Sequence, residues 1–470
     1  MVTELRARAV GALGNERVRA NIRRALDGLV AKRRAAFPDG EELAHLRKQG
    51  EDIRAHALSH LPELLQELEH NCVINGIQVH WAETCEEANR VVLDILRRHD
   101  ARMLIKGKSM VSEEMGLNTF LEGQGIEVIE TDLGELIVQL AGERPFHIIA
   151  PAIHKDRKHI ARLFKARFPD IPYSEDAEEL TDTARRLLRE KFQGAAAGLT
   201  GVNFAVAETG TLCLVENEGN GRMCSTAPDV HIAVTGIEKV IARLDQLPPL
   251  LTLLTRSATG QPITTYFNMI GSNRRERELD GPKEVHLILL DNGRSRILAD
   301  PELQATLRCI RCGACLNHCP VYTRIGGHAY GTVYGGPIGS ILEPQLQGLE
   351  AAGELADASS LCGACAEVCP VRIPIPRLLN RLRAEGVQGG AASRVRGRGS
   401  RRNRKHAMIW RLWTWLYANP GRYRFMSGVL SQVRLVICRI STPWTWSRAA
   451  PQLAPKSLHR LAQEEGFSDE

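Results

Sequence analysis

Aromatic side chains are scarce in this chain of 470 residues, at 5%, and long apolar runs are missing altogether. A membrane-spanning helix needs about 20 consecutive apolar residues, so no span is expected. The opening MVTELRARAVGALG lacks the continuous apolar stretch of a secretory signal. No GxGxxG follows a strand-like run and no GxxxxGK[ST] occurs, which leaves nucleotide binding without a motif. A disulfide framework is also missing. Of twelve cysteines, Cys72, Cys85, Cys213, Cys224 and Cys438 are scattered, and the other seven crowd into 309–369. Composition is otherwise ordinary for a globular chain, 43% hydrophobic and 25% charged, and the length predicts roughly two to four domains.

Acidic residues are absent between Glu385 and Glu464, an interval that holds 15 Lys and Arg. The remainder carries 46 basic against 55 acidic residues, so the net charge of +6 describes a basic tail on an acidic body. That pattern suits a local docking surface rather than a generally cationic protein.

The seven clustered cysteines carry the chemistry. Residues 308–320 read RCIRCGACLNHCP, placing Cys309, Cys312, Cys315 and Cys319 in the spacing C-x2-C-x2-C-x3-C-P. A compact loop with two-residue gaps aims three thiolates at one iron–sulfur cubane, while the fourth cysteine serves a second cluster. The second run, LCGACAEVCP at 361–370, supplies Cys362, Cys365 and Cys369 with its first cysteine replaced by Ser359. Crossing the ligands over gives one cluster on Cys309, Cys312, Cys315 and Cys369. The other has only Cys319, Cys362 and Cys365, its fourth position open to water, Ser359, His318 or a partner's group, or to loss of an iron. CxxC pairs also suit zinc, but two runs each closed by Cys-Pro favour two [4Fe-4S] clusters. Thiolates that load iron must stay reduced, so a cytoplasmic setting is expected.

Around that centre the chain divides into four parts. Residues 1–70 read as amphipathic helices broken at Pro38-Asp39-Gly40, packing on the α/β part or on a neighbour. Residues 71–300 alternate strand-like CVINGIQVHWA, RMLIKG, IEVIETD and FHIIAP with helix-like CEEANRVVLDILRRHD, SEEMGLNTFLEGQG and LGELIVQLAG. HKDRKHIARLFKARF, VHIAVTGI and EVHLILLDN continue the pattern, which predicts a three-layer α/β domain with a parallel sheet. NFAVAETGTLCLVENEGNGR predicts two strands around Thr209-Gly210 and a second turn at Asn217–Arg222. Residues 301–385 form a helical ferredoxin-type domain, and 386–470 a basic, tryptophan-rich C-terminal region.

Two stretches of the α/β part are candidate sites. Lys106, Lys108, Ser109, Ser112, Glu113 and Glu114 follow a strand and open a helix, where α/β folds place ligands. The same residues suit a helix cap, with Ser109 or Ser112 at the N-cap and glutamates in the first turn. The second stretch runs from Glu208 to Leu212, where a tight turn alone accounts for the glycine. His147, His154, His231 and His286 lie near strand ends and read first as satisfied side chains. In the tail, Trp410, Trp413, Trp415, Trp444 and Trp446 beside arginines suit docking on a membrane surface or a partner. The same composition suits a helical subdomain packed on the body.

IKGKSMVSEEMG, ETGTLCLVENEGNGR, CIRCGACLNHCPVY and SSLCGACAEVCPVRIPI together resemble the lactate utilisation protein B family, over roughly residues 50–450. The resemblance implies an α/β part of the sugar-isomerase and CoA-transferase type (NagB/RpiA/CoA-transferase-like) and the same crossed ligand sets. It implies electron transport during oxidation of L-lactate to pyruvate, with partner proteins of the same system, and hands over no catalytic residue. Two rivals differ in class. In one, the α/β domain itself binds the hydroxy acid and the clusters drain its electrons. In the other, the tail grips nucleic acid, for which no groove-reading motif exists.

Overall fold

The computed structural model describes residues 4–388, 404–433, 452 and 454–467. Cys438, Trp444, Trp446 and most of the basic linker lie outside the described residues. The chain divides into two compact units at about residue 400, and each is described by itself.

The first unit is built on a six-stranded sheet. Its strands are β1 (Ile77–Ala82), β2 (Met103–Lys106), β3 (Glu127–Glu130), β4 (Ala197–Gly201), β7 (Val230–Gly236) and β10 (Glu284–Leu290). They run in the order β1-β10-β7-β4-β2-β3, every pair parallel. Both faces are covered, as a parallel sheet requires. On β10, Ile288 and Leu290 enter a core with Val92, Leu96, Leu104 and Leu199. Val285, Leu287 and Leu289 point the other way, among Leu64, Leu68, Ile77 and Ala233. Successive side chains of a strand alternate between faces, so an unbroken apolar run marks a strand with helices on both sides. The three-layer α/β expectation is met for this sheet.

A second sheet of four strands lies beside it: β5 (Phe204–Val206), β6 (Thr211–Glu216), β8 (Val240–Ile241) and β9 (Tyr266–Ile270), ordered β8-β5-β6-β9. β5 and β6 are antiparallel, with Phe204 opposite Cys213, as the sequence predicts. Gly210 turns between them at φ +64°, and a Cβ there would sit 2.7 Å from the Asn71 carbonyl carbon. Only glycine lets helix Leu61–Ile74 approach so closely. The expected turn at Asn217–Arg222 is instead the entry to helix Asn220–Thr226, reached through Gly219 at φ +79°. FHIIAP is not a strand either. It forms bends, and the Phe146 carbonyl accepts the Tyr322 hydroxyl at 2.6 Å.

Helices Glu4–Gly14, Glu16–Ala36, Gly40–Ser59 and Leu61–Ile74 begin the chain, the second and third capped by Asn15 and Asp39. They pack on the rest of the first unit. Ile22 and Leu26 share one core with Phe204 and Val206 of the second sheet, Leu253, and the cysteine region. That region is helical: Ala314–Asn317, Tyr322–Ile325, Gly336–Gln347, Ala364–Glu367 and Ile375–Gln388.

The second unit contains helices Arg404–Tyr417, Pro420–Gln432 and Leu458–Glu464. Trp410, Trp413 and Trp415 are 62%, 48% and 55% exposed, and the Arg422 guanidinium lies 4.5 Å from the Trp415 ring centroid. No helix among the described residues is long and apolar enough to cross a membrane.

Candidate functional site

The two cysteine runs form one loop built twice, 50 positions apart. Arg311 and Leu361 both adopt the left-handed region, at φ +60° and +56°, and are followed two residues on by Gly313 and Gly363 at +73° and +89°. Each glycine opens a four-residue helix, Ala314–Asn317 or Ala364–Glu367. The turns close alike: Leu316 N to Gly313 O and Ala366 N to Gly363 O at 2.9 Å each, then Cys319 N to Leu316 O at 3.2 Å and Cys369 N to Ala366 O at 3.4 Å. Backbone amides also donate to the sulfurs, Arg311 N to Cys309 Sγ at 3.4 Å, Tyr322 N to Cys319 Sγ at 3.5 Å and Ile373 N to Cys369 Sγ at 3.3 Å. Such bonds favour the thiolate.

The loops exchange their last cysteine. Cys309, Cys312, Cys315 and Cys369 line one small cavity walled by Ile148, Ile310, Ile338 and Ile373. Burial pushes the Cys315 thiol well up, and charge on Cys309, Cys312 and Cys369 pushes it further. Cys312 is driven to about 12 by burial first. Cys365 also reaches about 12, from burial and then from Cys319 and Cys362. Four buried sulfurs with raised proton affinity around one apolar hollow fit a cation-rich cluster that displaces their protons. Cys362 is exposed, so the Cys319, Cys362 and Cys365 group lies at the surface while the first group lies inside.

Sequence reasoning missed the cations around these sulfurs. Arg47 donates to the carbonyls of Cys369 at 2.9 Å and Ala366 at 3.0 Å, and Arg33 to that of Val368 at 3.2 Å. Buried Lys239 donates from Nζ to Cys309 O at 2.9 Å. Burial, and next the Arg311 guanidinium, pull Lys239 down to about 7. Arg311 itself faces Glu238 at 3.4 Å and lies 4.6 Å from the Tyr334 ring centroid. The arginines of the N-terminal helices are far away in sequence, and amphipathic periodicity gives them no signal.

A second, larger cavity of about 280 Å³ adjoins the first; Ile148 and Arg311 line both. It lies beyond the carboxyl ends of β2, β4 and β7, where parallel sheets leave room for ligands. Lys108, Asn203, Glu216 and Lys239 contribute polar groups to it. Glu216 is already engaged, accepting from Gly221 N at 2.6 Å and Arg222 N at 2.7 Å.

The six residues of the 106–114 stretch divide between cavity and core. Lys108 and Ser109 line the cavity. Ser109 is also the N-cap, its Oγ accepting from Ser112 N at 3.2 Å, and the Ser112 hydroxyl returns a bond to Ser109 O. Lys106 is fully buried against Glu113 at 2.8 Å and Glu130 at 2.6 Å. Burial opposes its charge, yet Glu130 and Glu113 raise it above its usual value. Glu114 meets Arg294 at 2.9 and 2.8 Å, and Arg294 reaches Glu238 at 2.6 Å. Burial alone would raise Glu238, but Arg294, Lys239 and Arg311 bring it to about 2. At the Glu208–Leu212 turn, Glu208 accepts from Leu244 N at 3.0 Å, a structural bond.

Each histidine singled out has a partner. His147 meets Asn317 at 3.0 Å, joining the bend at Phe146 to the first cysteine loop, and burial takes it to about 4. His154 meets Glu143 at 2.7 Å, His231 meets Thr200 at 2.8 Å, and His286 meets His80 at 3.0 Å.

Comparison with known proteins matches these parts in order. The LUD domain family matches residues 65–290, the 4Fe-4S dicluster domain matches 305–373, and "Lactate utilisation protein B, C-terminal" matches 381–467. A LUD domain joined to a dicluster module defines an iron–sulfur protein. "Lactate utilization protein B" of Bacillus velezensis is 45% identical over 80% of this chain and 79% of its own length. The Bacillus subtilis protein of that name is 44% identical over 80% and 78%. The Escherichia coli "Uncharacterized electron transport protein YkgF" is 46% identical over 76% of each. The chain belongs to the lactate utilisation protein B family.

Proposed function

We propose that this chain is an electron-transfer subunit in the oxidation of L-lactate to pyruvate, working with other proteins of a lactate-utilisation system in the cytoplasm. Cys309, Cys312, Cys315 and Cys369 hold one [4Fe-4S] cluster, and Cys319, Cys362 and Cys365 hold a second. The observation that carries this reading is the cavity in which Cys369 of the second loop joins three cysteines of the first. The domain limits follow the same division: 1–70, 71–300 with a sugar-isomerase and CoA-transferase type of fold, 301–385, and 386–470.

Bound clusters supply one-electron transfer, which divides the two electrons of lactate oxidation into single steps. The chain sets the terms of that transfer. Arg33, Arg47, Lys239 and Arg311 place positive charge beside the inner group, amide bonds to sulfur favour the thiolate state, and apolar walls exclude water from the hollow. The exposed edge at Cys362 offers a point of contact for a partner.

A second reading, in which the α/β domain itself binds the hydroxy acid, is favoured by the polar cavity that shares Arg311 and Ile148 with the cysteine hollow. One titration separates the two. The anaerobically reconstituted chain is mixed with lactate, with and without extract containing the partner proteins, and cluster reduction is followed by EPR. Reduction only with partners supports the electron-transfer subunit. Reduction of the purified chain alone supports the self-contained enzyme, and no reduction in either mixture counts against both.

A further inference from the structure

The duplicated loop fixes what stands at the place of the missing cysteine. Every backbone feature of the first loop recurs 50 residues later, so Ser359 occupies in the second loop the place that Cys309 occupies in the first. The correspondence extends to the side chain. Arg311 N donates to Cys309 Sγ at 3.4 Å, and Leu361 N donates to Ser359 Oγ at 3.1 Å. Both donors are residues with positive φ, a conformation that costs a non-glycine side chain of order 1–3 kcal/mol and aims the amide at the ligand atom two residues earlier.

We propose that Ser359 Oγ is the fourth protein ligand of the cluster held by Cys319, Cys362 and Cys365. This rests on the two-cluster reading and assigns the one position that reading leaves open. Three observations single out this hydroxyl. First, the loop directs it: Cys309 Sγ lines the inner hollow together with Cys312, Cys315 and Cys369, and the repeat sets Ser359 in the same relation to Cys362, Cys365 and Cys319. Second, its backbone is pinned, because Arg383 donates to Ser359 O at 2.9 Å and to Ala356 O at 2.8 Å. Third, the other candidate on this chain is engaged at one nitrogen, His318 Nδ1 meeting the Ala314 carbonyl at 2.9 Å.

The bond forms between an iron and Oγ as the hydroxyl proton leaves to solvent, which the exposed surface at Cys362 admits. No electron is transferred in that step. A hard alkoxide in place of a thiolate makes the outer cluster electronically unlike the inner one, and gives the pair a direction.

The test uses the full chain, reconstituted anaerobically, as wild type, Ser359→Ala and Ser359→Cys. Iron is counted, and EPR and ENDOR spectra are recorded in water enriched in oxygen-17. Wild type is expected to hold about eight irons per chain, with no solvent-oxygen coupling at either reduced cluster. Ser359→Ala is expected to gain that coupling or to lose about one iron to a three-iron form. Ser359→Cys is expected to keep all its iron and shift the spectrum of one cluster only. Solvent-oxygen coupling of equal size in wild type and Ser359→Ala, with equal iron, overturns the assignment in favour of water. A wild-type count of about four irons removes the second cluster, and with it both the two-cluster reading and this ligand.

Discussion

Arg47, on the third helix of the chain, donates from Nε to the carbonyl oxygen of Cys369 at 2.9 Å, the cysteine that the second loop lends to the first. An element without a functional motif thus sets charge at the inner cluster. A nearby cation favours the reduced, more negative state, so its removal lowers the midpoint potential. Arg47→Met is expected to shift the inner cluster negative by tens of millivolts and leave the outer one in place, as read by EPR-monitored redox titration. A positive shift, or none, would contradict this role.

Arg294 stands buried between Glu114 and Glu238, at 2.8 and 2.6 Å. Removing one member of a buried ionic network strands the others and costs roughly 3–5 kcal/mol. Arg294→Met is therefore expected to lower the unfolding free energy by that amount in denaturant titrations, while Arg243→Met, in an exposed pair with Asp245, should change stability by less than about 1 kcal/mol.

His231 gives the protein an acid-sensitive core. Burial, then His286, hold it at about 3, so it is neutral in the folded chain. The unfolded chain protonates it near 6.5 and binds more protons between these values. Its contribution is fully present above about pH 6.5 and is lost as pH falls toward 3. The stability difference between wild type and His231→Gln should shrink by about 2 kcal/mol between pH 7 and 5; a constant difference would contradict the neutral histidine.

The polar cavity yields a separate expectation. If lactate enters it, Lys108→Ala should weaken the apparent affinity read from the lactate-induced rise in Tm about tenfold, the value of one charged hydrogen bond. Equal shifts in wild type and Lys108→Ala would place the hydroxy acid elsewhere.

Much of this architecture is written locally. The spacing of seven cysteines names the chemistry, and unbroken apolar runs such as EVHLILL name a sheet buried on both faces. What stayed illegible depends on distant partners. FHIIAP has strand-like composition, but the Tyr322 hydroxyl and the His147–Asn317 bond hold it in bends against the cysteine loop. β9 finds its place only by pairing with β6, some fifty residues earlier. ENEGNGR reads as a turn because its glycines and asparagines do, yet Gly219 merely opens a helix. The cations about the inner sulfurs come from helices and turns whose periodicity records only that they are amphipathic or buried.

The central claim is the exchange of cysteines between the two loops, and single substitutions test it directly. EPR spectra of the reconstituted chain should show Cys369→Ala disturbing the same cluster as Cys309→Ala. Cys319→Ala should disturb the same cluster as Cys362→Ala. Spectra in which Cys319→Ala matches Cys309→Ala, and Cys369→Ala matches Cys362→Ala, would mean that each loop keeps its own cysteines and would contradict the account.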